Sequence, residues 1–359
     1  MHLTTWNLHL KKMGGVPNFY KRVVQEARMF KIKKSFIKMA VAALLTLIVL
    51  ISCSPSKPTQ QFTLRIGTFP APSSLPYFVM QEQGFDKKNG LQLVEKSYLG
   101  GAAIIEAVVA GSIDMGVSGT PPVLSAADRG LIPSKVIPVA ANDFADPDHP
   151  GVGVLVAPSV TSWQDLKGQQ IAVNALNSIN AAAIVGRLQQ ESVRDYKLVE
   201  IPFPNMGLAV AGGNVAAAAS TEPYLTQSVL RKDGKLLGWV AGGSPLERIE
   251  LSMVIFSTDL YRNNPAVVKA FLRAQLQAVK WIDQNPEKAR AILAKRLVIS
   301  TEVAQKMKLL RFSLDGRNDP ALLESMQPLL VEIGMLKRPI PARKLYDETL
   351  LEEVLKEKH

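Results

Sequence analysis

The stretch Gly100 to Gly130, GGAAIIEAVVAGSIDMGVSGTPPVLSAADRG, constrains the fold of this chain more than any other. Gly100-Gly101 opens a run of helical character, Ala102 to Ala110, and Gly111-Ser112 closes it. Ile113 to Val117 is apolar and of strand length. Ser118-Gly119-Thr120 reads as a turn, and Pro121 stands where the first residue of a helix belongs, with Thr120 as its N-cap. A strand that ends in small polar residues and leads into a helix is the building unit of α/β architecture. The helix end carries free N–H groups and a partial positive charge, a seat for a small anion. The same turn also occurs as an ordinary connection that binds nothing.

A length of 359 residues predicts two domains, and 47% apolar with 6% aromatic residues fits a globular α/β protein. The net charge of +11 is unevenly placed. Residues 1–52 hold nine Lys/Arg against the single acid Glu26, a net +8, whereas the remainder holds 33 Lys/Arg against 30 Asp/Glu. The basicity belongs to the leader, which sets nucleic-acid binding aside.

Within that leader, Lys31, Lys33, Lys34 and Lys38 form a positive segment ahead of the apolar run Met39 to Ile51. The run ends in Leu50-Ile51-Ser52-Cys53, which resembles a bacterial lipobox, so Cys53 is expected to carry a lipid and 53–61 to serve as a tether. Cys53 is the only cysteine, which excludes an internal disulfide or a multi-cysteine metal site. The leader is complete from Met29, and Met29 is expected to be the true start.

Along the rest of the chain, Phe62 to Phe69 reads as a first strand, Pro70 to Pro76 as a loop and Tyr77 to Gln83 as a helix stopped by Gly84. Leu91 to Lys96 is a second strand and Val136 to Ala141 another, followed by a loop from Asn142 to Pro150. In that loop Asp146, Asp148 and His149 lie close together, but two prolines and the lack of a second nearby histidine favour a solvated loop over a metal site. Gly153 to Ala157 and Leu251 to Phe256 are strands expected to cross into a second lobe and back. Ile171 to Val173, a helix Ala181 to Glu191, and Leu198 to Ile201 belong to that lobe. Asn264-Pro265 starts a long amphipathic helix that runs through Trp281-Ile282, with Trp281 on its core face.

Several of these segments resemble, in order, the ABC-transporter periplasmic substrate-binding proteins for nitrate, sulfonates, taurine and thiamine precursors. The motif G-x-I-D-x-G is present as Gly111 to Gly116, followed by Gly119-Thr120-Pro121-Pro122. Glu82 to Leu91, Ser162 to Val173 with Asp165-Leu166-Lys167-Gly168, Glu222-Pro223-Tyr224, and Asn264 to Glu287 continue the match. The chain departs from that pattern at Ala216 or Ala217, where an Asp is expected, and at Ser220-Thr221, which replace a bulky residue.

The resemblance implies an α/β, two-lobed periplasmic-binding-protein-like fold of type II with two crossing hinge strands. Lobe 1 is expected from 62–150 and 257–359, and lobe 2 from 151–256. It implies a monomeric solute-binding lipoprotein, with no cofactor and no catalysis, that hands a small anionic solute to the permease and ATPase of an importer. Ligand positions follow from the strand ends and the matched motifs: Thr68, Phe69, Ser74, Gly101, Ser118, Gly119, Thr120, Asn142, Asn177, Ser178, Asn205, Glu222 and Tyr224. The serines and Asn177 serve equally as turn and cap residues. Phe69, Phe144 and Tyr224 equally suit an aromatic ligand, a pyrimidine or flavin precursor. Relatives of this fold that make the thiamine pyrimidine use a Cys/His-rich segment. Here only His149 and His359 follow the leader, and no Ser-His-Asp set or phosphate loop stands out.

Overall fold

The chain divides into two compact units, Met1–Thr59 and Gln60–His359. The structure, a computed structural model, describes residues 61–357 together with Arg22, Gln25, Glu26 and Met29. The expected apolar leader run, Cys53 and the tether lie outside the described residues except for the tether's last residue, Gln61.

Two sheets organise the second unit. In chain order the first lobe runs β1 (Phe62–Thr68), α1 (Leu75–Gln83), α2 (Phe85–Lys88), β2 (Leu91–Ser97), α3 (Gly101–Val109), β3 (Met115–Gly119), α4 (Thr120–Asp128) and β4 (Val136–Ala145). The second holds β5 (Val152–Val156), β6 (Gln169–Val173), α5 (Ile179–Gln190), β7 (Tyr196–Glu200), α6 (Phe203–Ala211), β8 (Ala217–Ser220), α7 (Tyr224–Leu230) and β9 (Lys235–Ala241). The chain then returns through β10 (Ile249–Ser257), α8 (Thr258–Asn263), α9 (Pro265–Gln284), α10 (Pro286–Leu297), α11 (Thr301–Lys306) and β11 (Arg311–Phe312). It closes with α12 (Pro320–Ser325), α13 (Gln327–Glu332) and α14 (Thr349–Lys356). One sheet has the order β11-β4-β10-β3-β1-β2 and the other β7-β6-β8-β5-β9. In the first, β1 is parallel to β2 and β3 while β10 is antiparallel to β3 and β4; in the second, β6 is parallel to β7 and β8 and β5 runs against β8 and β9.

Apolar patterning accounts for these elements. The long helix α9 buries Val268, Phe271, Leu272, Gln275, Ala278, Val279 and Ile282, a stripe at helical spacing, against α1 and the first sheet. Phe271 meets Tyr77 and Phe256 edge to face. Gly84 takes a left-handed φ of +68° and ends α1, as the sequence predicts.

Two expectations need correction. Gly153–Ala157 and Leu251–Phe256 are not themselves crossing strands. Every ladder partner of β5 lies on β8 or β9, and those of β10 lie on β3 and β4, so each is a full member of one sheet. The crossings are the adjoining links 146–151 and 242–248. They run side by side: Gly151 N–H donates to Ala241 O at 2.9 Å. At Gly242, with φ +77°, a Cβ would come within 2.5 Å of Asp146 O and Pro150 Cα, so only glycine fits there. The second correction is that Asn142 and Asp143 are not loop residues. Pairing with β10 and β11 carries β4 on to Ala145, all ten residues buried. Polar side chains could join this ladder because neighbouring elements satisfy them, as described below.

Candidate functional site

The carboxyl ends of strands from both sheets converge on one cavity of about 50 Å³ between the lobes. The first lobe contributes Phe69 and Ser73 from the loop after β1, and Gly119 from the end of β3. The second contributes Ile179 and Asn180 from the start of α5, Phe203 from the start of α6, and Thr221 after β8. Gly151 and Val152 at one crossing and Leu251-Ser252 on β10 form the hinge side. Leu251 reaches the cavity because the ladder skips it: Glu250 pairs with Phe144 and Ser252 with Asp143, a bulge that turns the intervening side chain. Leu310, between α11 and β11, is a further wall. A larger groove of about 720 Å³ lies among Phe144, His149, Asp283, Arg311 and Asp319, away from the converging strand ends.

Of the residues expected at the site, Phe69 and Gly119 line the cavity. Several others lie buried beside it with their polar atoms committed to the protein. Thr68 Oγ1 donates to Glu95 at 2.7 Å, and Ser74 Oγ closes the turn on Phe69, donating to its carbonyl and accepting from its N–H. Ser118 is fully buried, and Gly101 packs so close to it that a Cβ would stand 2.6 Å from the Ser118 hydroxyl. Thr120 corrects a specific expectation: α4 is capped by Gly119 without a side-chain bond, and Thr120 Oγ1 instead donates to Glu250 O at 2.6 Å. The antiparallel neighbour β10 carries that carbonyl, and Pro121 and Pro122 have no N–H to offer.

In the second lobe, Ser178 caps α5, accepting from Ala181 N–H and donating to Ala175 O. Asn177 is half-buried and its Oδ1 has no partner. Asn205 is exposed on α6 and does not line the cavity, because the helix begins at Phe203 and turns Asn205 outward. Tyr224 is buried behind Phe203, the rings stacked at 6.1 Å, and burial pushes its hydroxyl up to about 12. Phe144 also misses the cavity; it lines the outer groove beneath the Arg311 guanidinium.

Behind the cavity lies a polar core of which the sequence named only Asn142, as a ligand position. Asn142 Nδ2 donates to Ser73 O, to Asp143 Oδ2 and to Ser252 Oγ, while its Oδ1 accepts from Gln275 on α9. Asp143 Oδ1 accepts from Ser252 Oγ at 2.5 Å, and the Ser73 side chain hydrogen-bonds the same carboxylate. Burial pushes the Asp143 carboxyl up to about 6 against these hydrogen bonds, which hold it down. Glu222 is buried on the opposite wall. Its carboxylate accepts from Thr226 N–H and Oγ1 and from Lys308 N–H, and burial raises its pKa. No Lys or Arg is among the described residues lining the cavity. One signal was available: a polar Asn-Asp pair and a Ser inside otherwise apolar strands, which buried strands tolerate only when partnered.

The profile of the NMT1-like family matches residues 57–298. The chain belongs to the NMT1-like family. Among relatives, it is 25% identical over 244 residues to the 4-amino-5-hydroxymethyl-2-methylpyrimidine phosphate synthase THI12 of Saccharomyces cerevisiae, covering 64% of this chain and 69% of that protein. It is 23% identical over 205 residues to the taurine-binding periplasmic protein of Escherichia coli K12, covering 56% and 61%. The fold is shared with the periplasmic aliphatic sulphonate binding protein SsuA of Escherichia coli, with TM-score 0.61 and 20% identity over 79% of this chain and 92% of that one. The two-lobed periplasmic-binding-protein fold expected from the sequence is therefore the fold of this NMT1-like chain.

Proposed function

We propose that this protein is an exported solute receptor. It closes its two lobes on a small molecule and delivers that molecule unchanged to the permease and ATPase of an ABC importer. The observation that carries the reading is the cavity at converging strand ends of two α/β lobes, joined by two adjacent links that can act as a hinge. Relatives named as periplasmic binding proteins support it. The leader and Cys53 fit export followed by lipid anchoring, and the receptor acts as a monomer. Absence of turnover of a bound compound is the result that would distinguish it from its synthase relative.

Two ligand readings follow from the relatives' names. An anionic group, as in taurine or a sulphonate, is the one expected from the sequence. The walls contributed by Phe69 and Phe203, with Tyr224 stacked behind, favour a second reading in which the body of the ligand is an aromatic ring. A thermal-shift panel of nitrate, taurine, alkanesulfonates, aromatic sulfonates and pyrimidines tests the receptor itself. A ligand at 100 times its dissociation constant stabilises the fold by about 2.7 kcal/mol. Small-angle scattering is expected to register compaction with that ligand. Turnover of the bound compound, or binding with no compaction, would refute the clamp.

A further inference from the structure

The geometry points to a ligand with a cationic nitrogen: a protonated amine or an amidinium on a small apolar or aromatic body. This inference rests on the receptor reading and concerns the charge and hydrogen-bonding sense of the same cavity.

Three hydroxyl groups line the cavity, those of Ser73, Ser252 and Thr221. Ser252 Oγ donates its proton to Asp143 Oδ1, and Ser73 hydrogen-bonds the same carboxylate. An ionised carboxylate only accepts, so both serine protons point away from the cavity. Thr221 Oγ1 donates to Gly151 O at 2.9 Å. All three oxygens therefore offer lone pairs to a ligand and no proton. Ser252 Oγ already accepts from Asn142 at 3.1 Å, which leaves one lone pair free. Of the other polar side chain on the cavity, Asn180, one N–H is held by Ala219 O. Gly151 N–H, the amide at the hinge, is held by Ala241 O. Nitrate and sulfonate groups are built only of acceptors and would meet acceptors at these three hydroxyls, leaving the second Asn180 N–H and the first-turn amides of α5 as the donors on the facing wall.

The charges have the same sense. Asp143 is fully buried directly behind Ser73 and Ser252, and its hydrogen-bond partners, Ser73, Asn142 and Ser252, are all neutral. Glu222 is buried next to Thr221 on the facing wall. No Lys or Arg is among the described residues on the cavity surface, so a cation entering between the lobes gains attraction from Asp143, while Arg290 offsets part of the Glu222 charge on the facing wall. The apolar walls Phe69, Ile179, Leu251 and Leu310 suit an apolar body for the rest of the ligand.

The test uses charge-paired probes on the full chain: ethylamine against ethanesulfonate, and benzylamine and benzamidine against benzenesulfonate, by thermal shift and calorimetry. An amine or amidine is expected to bind and the matched sulfonates to be silent. Asp143→Asn gives its neighbours an amide that can donate, freeing the serine protons to turn inward. It is expected to weaken the amine at least tenfold and to admit the sulfonate. Thr221→Val, checked for folding by circular dichroism, is a second variant expected to weaken the amine without touching Asp143. Sulfonate or nitrate binding to the wild-type chain with no amine binding would overturn the inference and leave the receptor reading standing. Silence of every probe, together with the whole panel above, would overturn both.

Discussion

Replacing Asp143 by Asn makes a quantitative claim on stability that needs no ligand. The carboxyl titrates near about 6 in the folded protein against an ordinary value of 3.8, because burial outweighs the hydrogen bonds from Ser252, Ser73 and Asn142. Between those two values the folded state binds more protons than the unfolded one, so stability is highest below the unfolded value and is lost as pH rises through the folded value. The full span amounts to roughly 3 kcal/mol, of which about 1.4 kcal/mol falls between pH 5 and pH 7.5. Asn does not titrate. Urea melts of both proteins at these two pH values, at constant ionic strength, are expected to show the wild type losing about 1.4 kcal/mol relative to Asp143→Asn. Two other titratable groups face Asp143: Tyr77 from α1, which titrates far above this range, and Glu250 from β10, itself pushed up by burial and by repulsion that includes Asp143. Removing the Asp143 charge also relaxes Glu250, which adds to the difference with the same sign. Parallel pH dependence of the two proteins would refute the reasoning, because it would mean that Asp143 is ionised at ordinary carboxylate values despite its burial.

Other substitutions separate structure from binding. Thr120→Val removes the hydroxyl bond to Glu250 O and is expected to cost about 1–2 kcal/mol in denaturant melts while leaving ligand affinity unchanged; a fall in affinity of tenfold or more in the folded variant would return Thr120 to the site. Gly101→Ala gains up to about 1 kcal/mol of helix propensity but drives a Cβ to 2.7 Å from the Gly119 backbone nitrogen, so a net loss of about 1–3 kcal/mol is expected, and a stabilised variant would show that α3 can shift. Glu222→Gln turns an amide group against donors from Thr226 and Lys308 and is expected to lower stability by about 1–3 kcal/mol and to enlarge the radius of gyration measured by scattering.

The sequence revealed the architecture where local chemistry decides it. The Gly84 stop and the α9 stripe depend on spacing within a few residues, whereas the turn expected at Ser118-Gly119-Thr120 is absent, because β3 runs to Gly119 and α4 starts at Thr120. The reading failed where distant partners decide. Asn142-Asp143 looks like the start of a loop because two polar residues follow an apolar strand, and only β10 and β11, more than a hundred residues later, keep them in the ladder. Thr120 looks like a cap because its neighbours suit one, and only the approach of Glu250 O redirects it. Of the positions expected at the strand ends only Phe69 and Gly119 line the cavity, and its polar character depends on which way hydroxyl protons point. That direction is set by a carboxylate behind the wall, which no spacing within the strand-end loops encodes. Leu310 was missed for a related reason: it belongs to the closing segment, which meets the cleft only in three dimensions.

Among the described residues, the polar contact between the lobes beyond the hinge concentrates on one place. Glu222 follows β8 in the second sheet, and Lys308 precedes β11, which pairs with β4 in the first. The bond from Lys308 N–H to the Glu222 carboxylate therefore joins the two halves, and Leu310, two residues on, closes the cavity. Gly186 against Leu329 and Gly100 against Asn174 add close approaches without hydrogen bonds that bridge the lobes. A hydrogen bond to a charged group contributes about 1.5–3 kcal/mol, a range in which open and closed states of a two-state protein stay within reach of each other. A ligand then shifts the balance only through contacts it makes in the closed form alone. The acceptors of Ser73 and Ser252 on one wall and Thr221 on the other meet that condition, since one small cation reaches both walls only when the lobes are shut.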